Sequence, residues 1–154
     1  MDFSFLISMG YAARIKPDPE LCRKELSEAE YDLALAGKSF SEADFKWSII
    51  KSYYSMFHAA KGVLFLLGLK EKSHAGVAEA LEILSKAGKL ESRFANDFRA
   101  AMSAREGADY SYSHSRERAQ NTLAIAGDFV ARMKTLAEPI KPGTENRKPG
   151  TGKT

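Results

Sequence analysis

The sequence predicts an all-α fold, an up-and-down antiparallel bundle of four to five helices, on three observations. One is the stretch 41–68, SEADFKWSIIKSYYSMFHAAKGVLFLLG, whose apolar residues recur at helical spacing over an arc much wider than a surface helix needs. A second is the set of amphipathic segments on either side of it, each bounded by helix start and stop residues. The third is that no segment shows sustained alternation and no hairpin dipeptide stands between apolar runs. Short links make successive helices antiparallel neighbours.

Residues 1–17 read as a poorly patterned lead-in. The first helix opens at Asp18-Pro19-Glu20, with Asp as N-cap and Pro at the first helical position, and runs to Ala36, closed by Gly37. Leu21, Leu26, Ala29, Leu33 and Ala36 make its apolar stripe, while Arg23, Lys24, Glu28, Glu30 and Asp32 face water. Ser41 with Asp44 reads as a capping-box-like pair and Phe40 with Phe45 as a hydrophobic staple, starting the central helix. Gly68 stops it, as a residue that enters the left-handed conformation without steric cost. Ile49, Ile50, Tyr53, Tyr54, Met56, Phe57 and Val63 belong to its wide apolar arc. Ser48, Lys51, Ser55, His58 and Gly62 form a narrow polar strip, the first place to look for function. Residues 69–72 are a link, and Ser73 caps a third helix that breaks at Gly88. A fourth runs from Leu90 to Glu106 and ends at Gly107; a fifth runs from about Ser115 to Ala137, with Pro139 as its stop. The organisation is a lead-in at 1–17, one bundle at 18–138 and a disordered basic tail at 139–154.

At 154 residues the chain fits one domain able to bury a core without disulfides or metal. Its net charge of +3 belongs to residues 139–154, where Lys141, Arg147, Lys148 and Lys153 oppose Glu145, so residues 1–138 sum to zero. A neutral body argues against strong autonomous affinity for RNA, although a local cleft is free to be basic. Cys22 is the single cysteine, which excludes an internal disulfide and fits a reducing compartment. The apolar start, residues 1–7, is short and carries Asp2 where a signal peptide wants a cation. Lys61 and His58 interrupt the best candidate membrane span, so the expectation is a cytoplasmic protein without membrane attachment. Walker, dinucleotide, H-E-x-x-H and EF-hand patterns are absent. His58, His74 and His114 lie on three elements with no carboxylate at ligand spacing beside them, so neither a metal nor a cofactor is expected.

Three stretches carry a family resemblance: Tyr53-Tyr54-Ser55-Met56-Phe57-His58-Ala59-Ala60-Lys61 on the central helix, Lys72-Ser73-His74-Ala75-Gly76-Val77 opening the third, and Arg105-Glu106-Gly107-Ala108-Asp109-Tyr110 after the fourth. Over about residues 20–135 the chain resembles the HEPN family, more narrowly its small stand-alone members with a YYxMFHAA core and an R-x-x-A-D-Y turn. The resemblance implies a four-to-five-helix bundle, a homodimer, and a minimal nucleotidyltransferase partner in a toxin–antitoxin or related defence pair. Many such proteins are metal-independent ribonucleases with an R-x(4–6)-H motif paired across the dimer. Arginine holds the scissile phosphate, and histidine moves the proton of the ribose 2′-hydroxyl.

The nearest match here is Arg105 to His114, with eight intervening residues; a looped-out segment 107–112 would bring the two together. The tyrosine that follows the histidine by two in some relatives is replaced by Arg116, with Tyr110 and Tyr112 nearby. The candidate catalytic residues are thus Arg105, His114 and His58. Lys51, Ser55, Lys61, His74, Asp109 and Tyr110 are candidate binding residues. Each has a structural reading beside the functional one. Arg105 suits a last helical turn and pairs with Asp109, His114 sits near a helix start, and His58 fits a satisfied polar seam or a dimer contact. Tyr53 and Tyr54 read as packing. The functional expectation is a binding protein for RNA, nucleotide or a nucleotidyltransferase. The alternatives are a metal-independent ribonuclease and a plain helical interaction module.

Overall fold

The computed structural model describes residues 1–138; the expected tail and its Pro139 stop lie outside them. Among the described residues the chain forms α1 (Ser4–Ser8), β1 (Ala12–Arg14), α2 (Pro19–Ser41), α3 (Phe45–Leu66), β2 (Leu69–Glu71), α4 (His74–Lys86), α5 (Ser92–Tyr110) and α6 (Arg116–Ala137). The fold is the expected all-α bundle. Helix α3 is its axis, packed by α2, α4, α5 and α6. Ile49, Tyr53, Met56, Ala60 and Val63 are fully buried along it, and each large side chain removed from water stabilises by roughly 1.5–3 kcal/mol. Several starts are as expected. Asp18 Oδ1 accepts from the Leu21 N–H at 3.0 Å, Ser73 Oγ from the Gly76 N–H at 2.9 Å and Ser115 Oγ from the Arg118 N–H at 3.1 Å.

Two glycine stops are overridden. Helix α2 continues through Gly37 to Ser41, and α5 continues through Gly107 to Tyr110. A glycine inside a helix costs about 1 kcal/mol relative to alanine. Against that, the last turns of α2 bury Ala36 and Ser39, and those of α5 bury Ala104 and Ala108. Burial and the retained backbone bonds win. The start of α3 shifts accordingly. Ser41 belongs to α2 and bonds back to the Lys38 carbonyl at 2.8 Å, so it is no capping box; Asp44 alone caps, accepting from the Trp47 N–H at 3.4 Å. The Phe40 and Phe45 rings still meet, with centroids 5.5 Å apart, across a turn in which Ala43 takes a φ of 60°.

The lead-in is more ordered than its pattern predicts. Phe3 and Leu6 of the α1 region are buried. β1 pairs antiparallel with β2, the segment read as a bare link, matching Ala12 to Glu71 and Arg14 to Leu69. Strands of three residues are too short to announce themselves by alternation. This ribbon fixes the entry to α4. Gly68 stands at φ +80°, where an added Cβ would lie 2.9 Å from the Ile15 carbonyl oxygen, and a Cβ on Gly76 would collide with the Tyr11 carbonyl oxygen. His74 is thereby held between the ribbon and the bundle.

Candidate functional site

The polar strip of α3 faces α2 within the same chain. Ser48 Oγ donates to the Ala36 carbonyl at 2.9 Å, and Lys51 Nζ donates to Ser39 Oγ at 3.0 Å. A Cβ on Gly62 would sit 3.2 Å from the Cys22 carbonyl oxygen. Ser55, buried, bonds within its own helix to the Ser52 carbonyl at 2.7 Å. His58 Nδ1 lies 2.6 Å from Glu25 Oε1, and its Nε2 lies 3.7 Å from Asp32 Oδ2. The Glu25 hydrogen bond holds His58 above the ordinary histidine range against the opposing effect of burial. Burial pushes Glu25 up, but the bond to His58 and the charge of Lys61 outweigh it and leave its carboxyl below the ordinary range. Lys61 lies between Glu25 at 3.8 Å and Glu71 at 3.6 Å. Asp32, expected to face water, is therefore half-buried against His58. The carboxylates missing from the neighbourhood of His58 along the chain arrive from α2 through space.

A second centre lies where α3, α4 and α5 converge. Tyr53 is fully buried, and its hydroxyl is 2.5 Å from His74 Nδ1. The His74 ring stacks on Phe57 at a centroid distance of 4.3 Å and on Tyr53 at 5.6 Å. Above these rings lies Arg105, its guanidinium carbon 5.3 Å from the Tyr53 centroid and 5.9 Å from that of Tyr54. The Arg105 side chain is only 12% exposed; its Nη1 pairs with Asp109 Oδ2 at 3.6 Å, one helical turn on. Its buried Nε has no hydrogen-bond partner among the described residues.

Charge assigns the protons of this centre. Burial holds the Tyr53 phenol above its ordinary value, with Arg105 pulling the other way. Burial and then the Arg105 charge push His74 below the ordinary histidine value, so its imidazole is neutral near pH 7. Arginine only donates. The positive charge of Arg105 favours a Tyr53 hydroxyl dipole turned away from it, with the proton toward His74 Nδ1 and the remaining imidazole proton on Nε2.

Helix α5 runs through Gly107 to Tyr110, so residues 107–110 are not the loop expected between Arg105 and His114; beyond them the chain turns back, the Ser113 N–H donating to the Gly107 carbonyl at 3.0 Å. His74 shares Tyr53 with Arg105: it is hydrogen-bonded to the hydroxyl of the ring over which the guanidinium lies. His114 is exposed and makes no hydrogen bond or ion pair among the described residues. Tyr110 and Tyr112 are 76% and 87% exposed. Tyr110 lines, with Arg105, Glu106 and Gly107, an open depression of about 580 Å³ at the end of α5. Sequence reasoning missed Tyr53 as a site residue. Its signal was available only as a tyrosine at a core position, where the buried hydroxyl demands a partner.

A family model described as HEPN domain matches residues 23–136. The chain is 28% identical over 114 residues to the protein named putative toxin MJ0605 of Methanocaldococcus jannaschii, covering 73% of this chain and 85% of that one. It is 39% identical over 59 residues to UPF0332 protein PH1297 of Pyrococcus horikoshii, covering 38% of this chain and 42% of that one. A third relative, UPF0332 protein glr0978 of Gloeobacter violaceus, is 38% identical over 66 residues, covering 42% of this chain and 52% of that protein. The match thus spans less than two thirds of the PH1297 and glr0978 proteins. Among solved structures, TT1696 from Thermus thermophilus superimposes with a TM-score of 0.67 at 17% identity, over 75% of this chain and 97% of that one, a likeness of fold.

Proposed function

This chain belongs to the HEPN-domain family, and from that premise we propose that it is a toxin-type RNA-binding protein that grips a phosphate of its RNA at the Arg105 centre. The observation that carries this reading is the state of Arg105. Its guanidinium is nearly removed from water, 5.3 and 5.9 Å from the centres of two tyrosine rings, with an unpartnered Nε and one carboxylate at 3.6 Å. A planar cation with unused donors in a dry site gains most from a bidentate phosphate. Tyr110, exposed on the depression that Arg105 lines, and Tyr112, exposed two residues further on, offer faces on which unpaired bases stack. The toxin name of one relative supports a toxin–antitoxin setting. The homodimer, the nucleotidyltransferase partner and the cytoplasmic location rest on the family and on ordinary composition. No described helix is long and apolar enough to cross a membrane.

A second reading, metal-independent cleavage, is favoured by the Arg105–His74 juxtaposition. With Tyr53 donating to Nδ1, His74 offers a proton at Nε2. That suits an acid protonating the leaving 5′-oxygen; removing the 2′-hydroxyl proton needs another group. This asymmetry puts binding ahead of cleavage.

The test is fluorescence anisotropy with labelled single-stranded and structured RNA in EDTA, the same samples then being run on denaturing gels. Arg105→Ala is expected to weaken binding about 10- to 100-fold, as for loss of a charged hydrogen bond, and Arg105→Lys to recover only part of it. Equal affinity of wild type and Arg105→Ala would refute the proposal. Cleavage by wild type that persists unchanged in His74→Gln but disappears in His114→Ala would move the acid–base role to His114. Light scattering reads the dimer, and co-purification with a co-expressed nucleotidyltransferase reads the partner.

A further inference from the structure

Helices α2 and α3 bring together a second set of groups, remote in the chain, that the RNA reading does not use. Glu28 and Asp32 stand about one turn apart on α2, and His58 faces them from α3. One carboxylate oxygen from each acid and one imidazole nitrogen all lie within 4.8 Å of one another. The imidazole is already oriented. Its Nδ1 is held by Glu25 at 2.6 Å, which turns Nε2 toward Asp32 at 3.7 Å. A carboxylate on the far nitrogen of a histidine whose near nitrogen faces further oxygen donors is the outer-shell arrangement that aims metal-binding histidines.

Around this point four carboxylates, Glu25, Glu28, Asp32 and Glu71, outnumber the cationic groups His58, Lys51 and Lys61 by one. Three carboxylates, Glu25, Glu28 and Asp32, surround His58. Lys61 is shared between Glu25 and Glu71, and the Lys51 ammonium bonds to Ser39 Oγ. Asp32 is half-buried whereas Glu28 is exposed. One side of the cluster is therefore built into the helix interface, and the other opens to water that would complete a coordination sphere.

We propose that Glu28, Asp32 and His58 form a divalent-metal site that clips α2 to α3, with Glu25 as the positioning residue behind His58. One imidazole nitrogen and two carboxylate oxygens make a borderline donor set, which favours Zn²⁺ over Mn²⁺ and both over Ca²⁺. The role is structural. The site is separate from the Arg105 centre, so it neither requires nor supports RNA binding there.

The experiment uses the full chain, stripped with EDTA and dialysed, titrated with ZnCl₂ and MnCl₂ at pH 7.5 by calorimetry and thermal melting. Expected are one Zn²⁺ per chain and a rise in Tm of roughly 5–10 °C at a hundredfold excess over Kd. Asp32→Asn and Glu28→Gln should lose the stoichiometric binding while keeping the metal-free Tm. Glu25→Gln should weaken it roughly 10- to 100-fold without abolishing it, as outer-shell changes do. His114→Ala should bind as wild type. Absence of stoichiometric Zn²⁺ binding by wild type would overturn the proposal and leave the cluster as an ion-pair network. Binding that survives in both Asp32→Asn and Glu28→Gln would overturn it equally, by placing the ion elsewhere.

Discussion

Replacing Tyr53 by phenylalanine removes one oxygen from the centre of the protein and leaves the ring. The packing of that ring on Phe98, at a centroid distance of 5.5 Å, and on Tyr54, at 5.3 Å, is retained. The oxygen itself holds His74 Nδ1 at 2.5 Å, while the Arg105 guanidinium lies over the ring. Two losses follow: the net worth of the bond, about 0.5–1.5 kcal/mol, and the cost of leaving a buried acceptor unmatched, about 1–3 kcal/mol. Part of this is offset because a desolvated hydroxyl is removed as well. The expected destabilisation is about 2–3 kcal/mol, or roughly 4–12 °C in Tm for a chain of this size. Urea unfolding should show a lower midpoint with an unchanged m value. Imidazole nitrogen NMR should show the proton of His74 on Nε2 in the wild type and a mixture of tautomers in Tyr53→Phe. RNA affinity should change little, because Arg105 keeps its charge and both rings. A loss below about 0.5 kcal/mol together with an unchanged tautomer would refute the argument that Tyr53 fixes His74.

The pH dependence of stability has a definite sign at His74, which Arg105, Lys61, Glu71 and Glu106 surround electrostatically. Its folded pKa lies below the ordinary histidine value of 6.5, so below that pH the unfolded chain binds a proton that the native chain resists. The contribution is complete above the ordinary histidine pKa and is lost as pH falls through it toward the folded value; unfolding free energies of His74→Gln and wild type from pH 7.5 to 5 should converge on the acid side. Two glycine-to-alanine changes should act in opposite directions in denaturant titrations. Gly37→Ala meets nothing within 4 Å and should stabilise by about 0.5–1 kcal/mol. Gly68→Ala must hold φ +80° against the Ile15 carbonyl and should destabilise by more than the roughly 1–2 kcal/mol of a left-handed residue.

Local chemistry carried most of the fold. The apolar arc of α3, the caps at Asp18, Ser73 and Ser115 and the turn at Gly68 are properties of a few adjacent residues, and they are where the sequence places them. Gly37 and Gly107 misled because a stop signal worth about 1 kcal/mol is read locally, whereas the burial that overrides it comes from other helices. The ribbon was invisible for a related reason: three residues per strand carry no period.

The sites divide along the same line. The sequence by itself determined that Arg105 pairs with Asp109 one turn on, that His58 lies in a polar strip and that Tyr53 occupies a core position. Only the tertiary structure decided the partners. Tyr53 and His74 are 21 residues apart, and Glu25 and His58 are 33 apart; helical periodicity states which face of a segment is apolar or polar but not which other segment meets it. Packing α2 against α3 turned the strip inward onto carboxylates. Carrying α5 straight through Gly107 set Arg105 over the tyrosines beside His74 and left His114 in water.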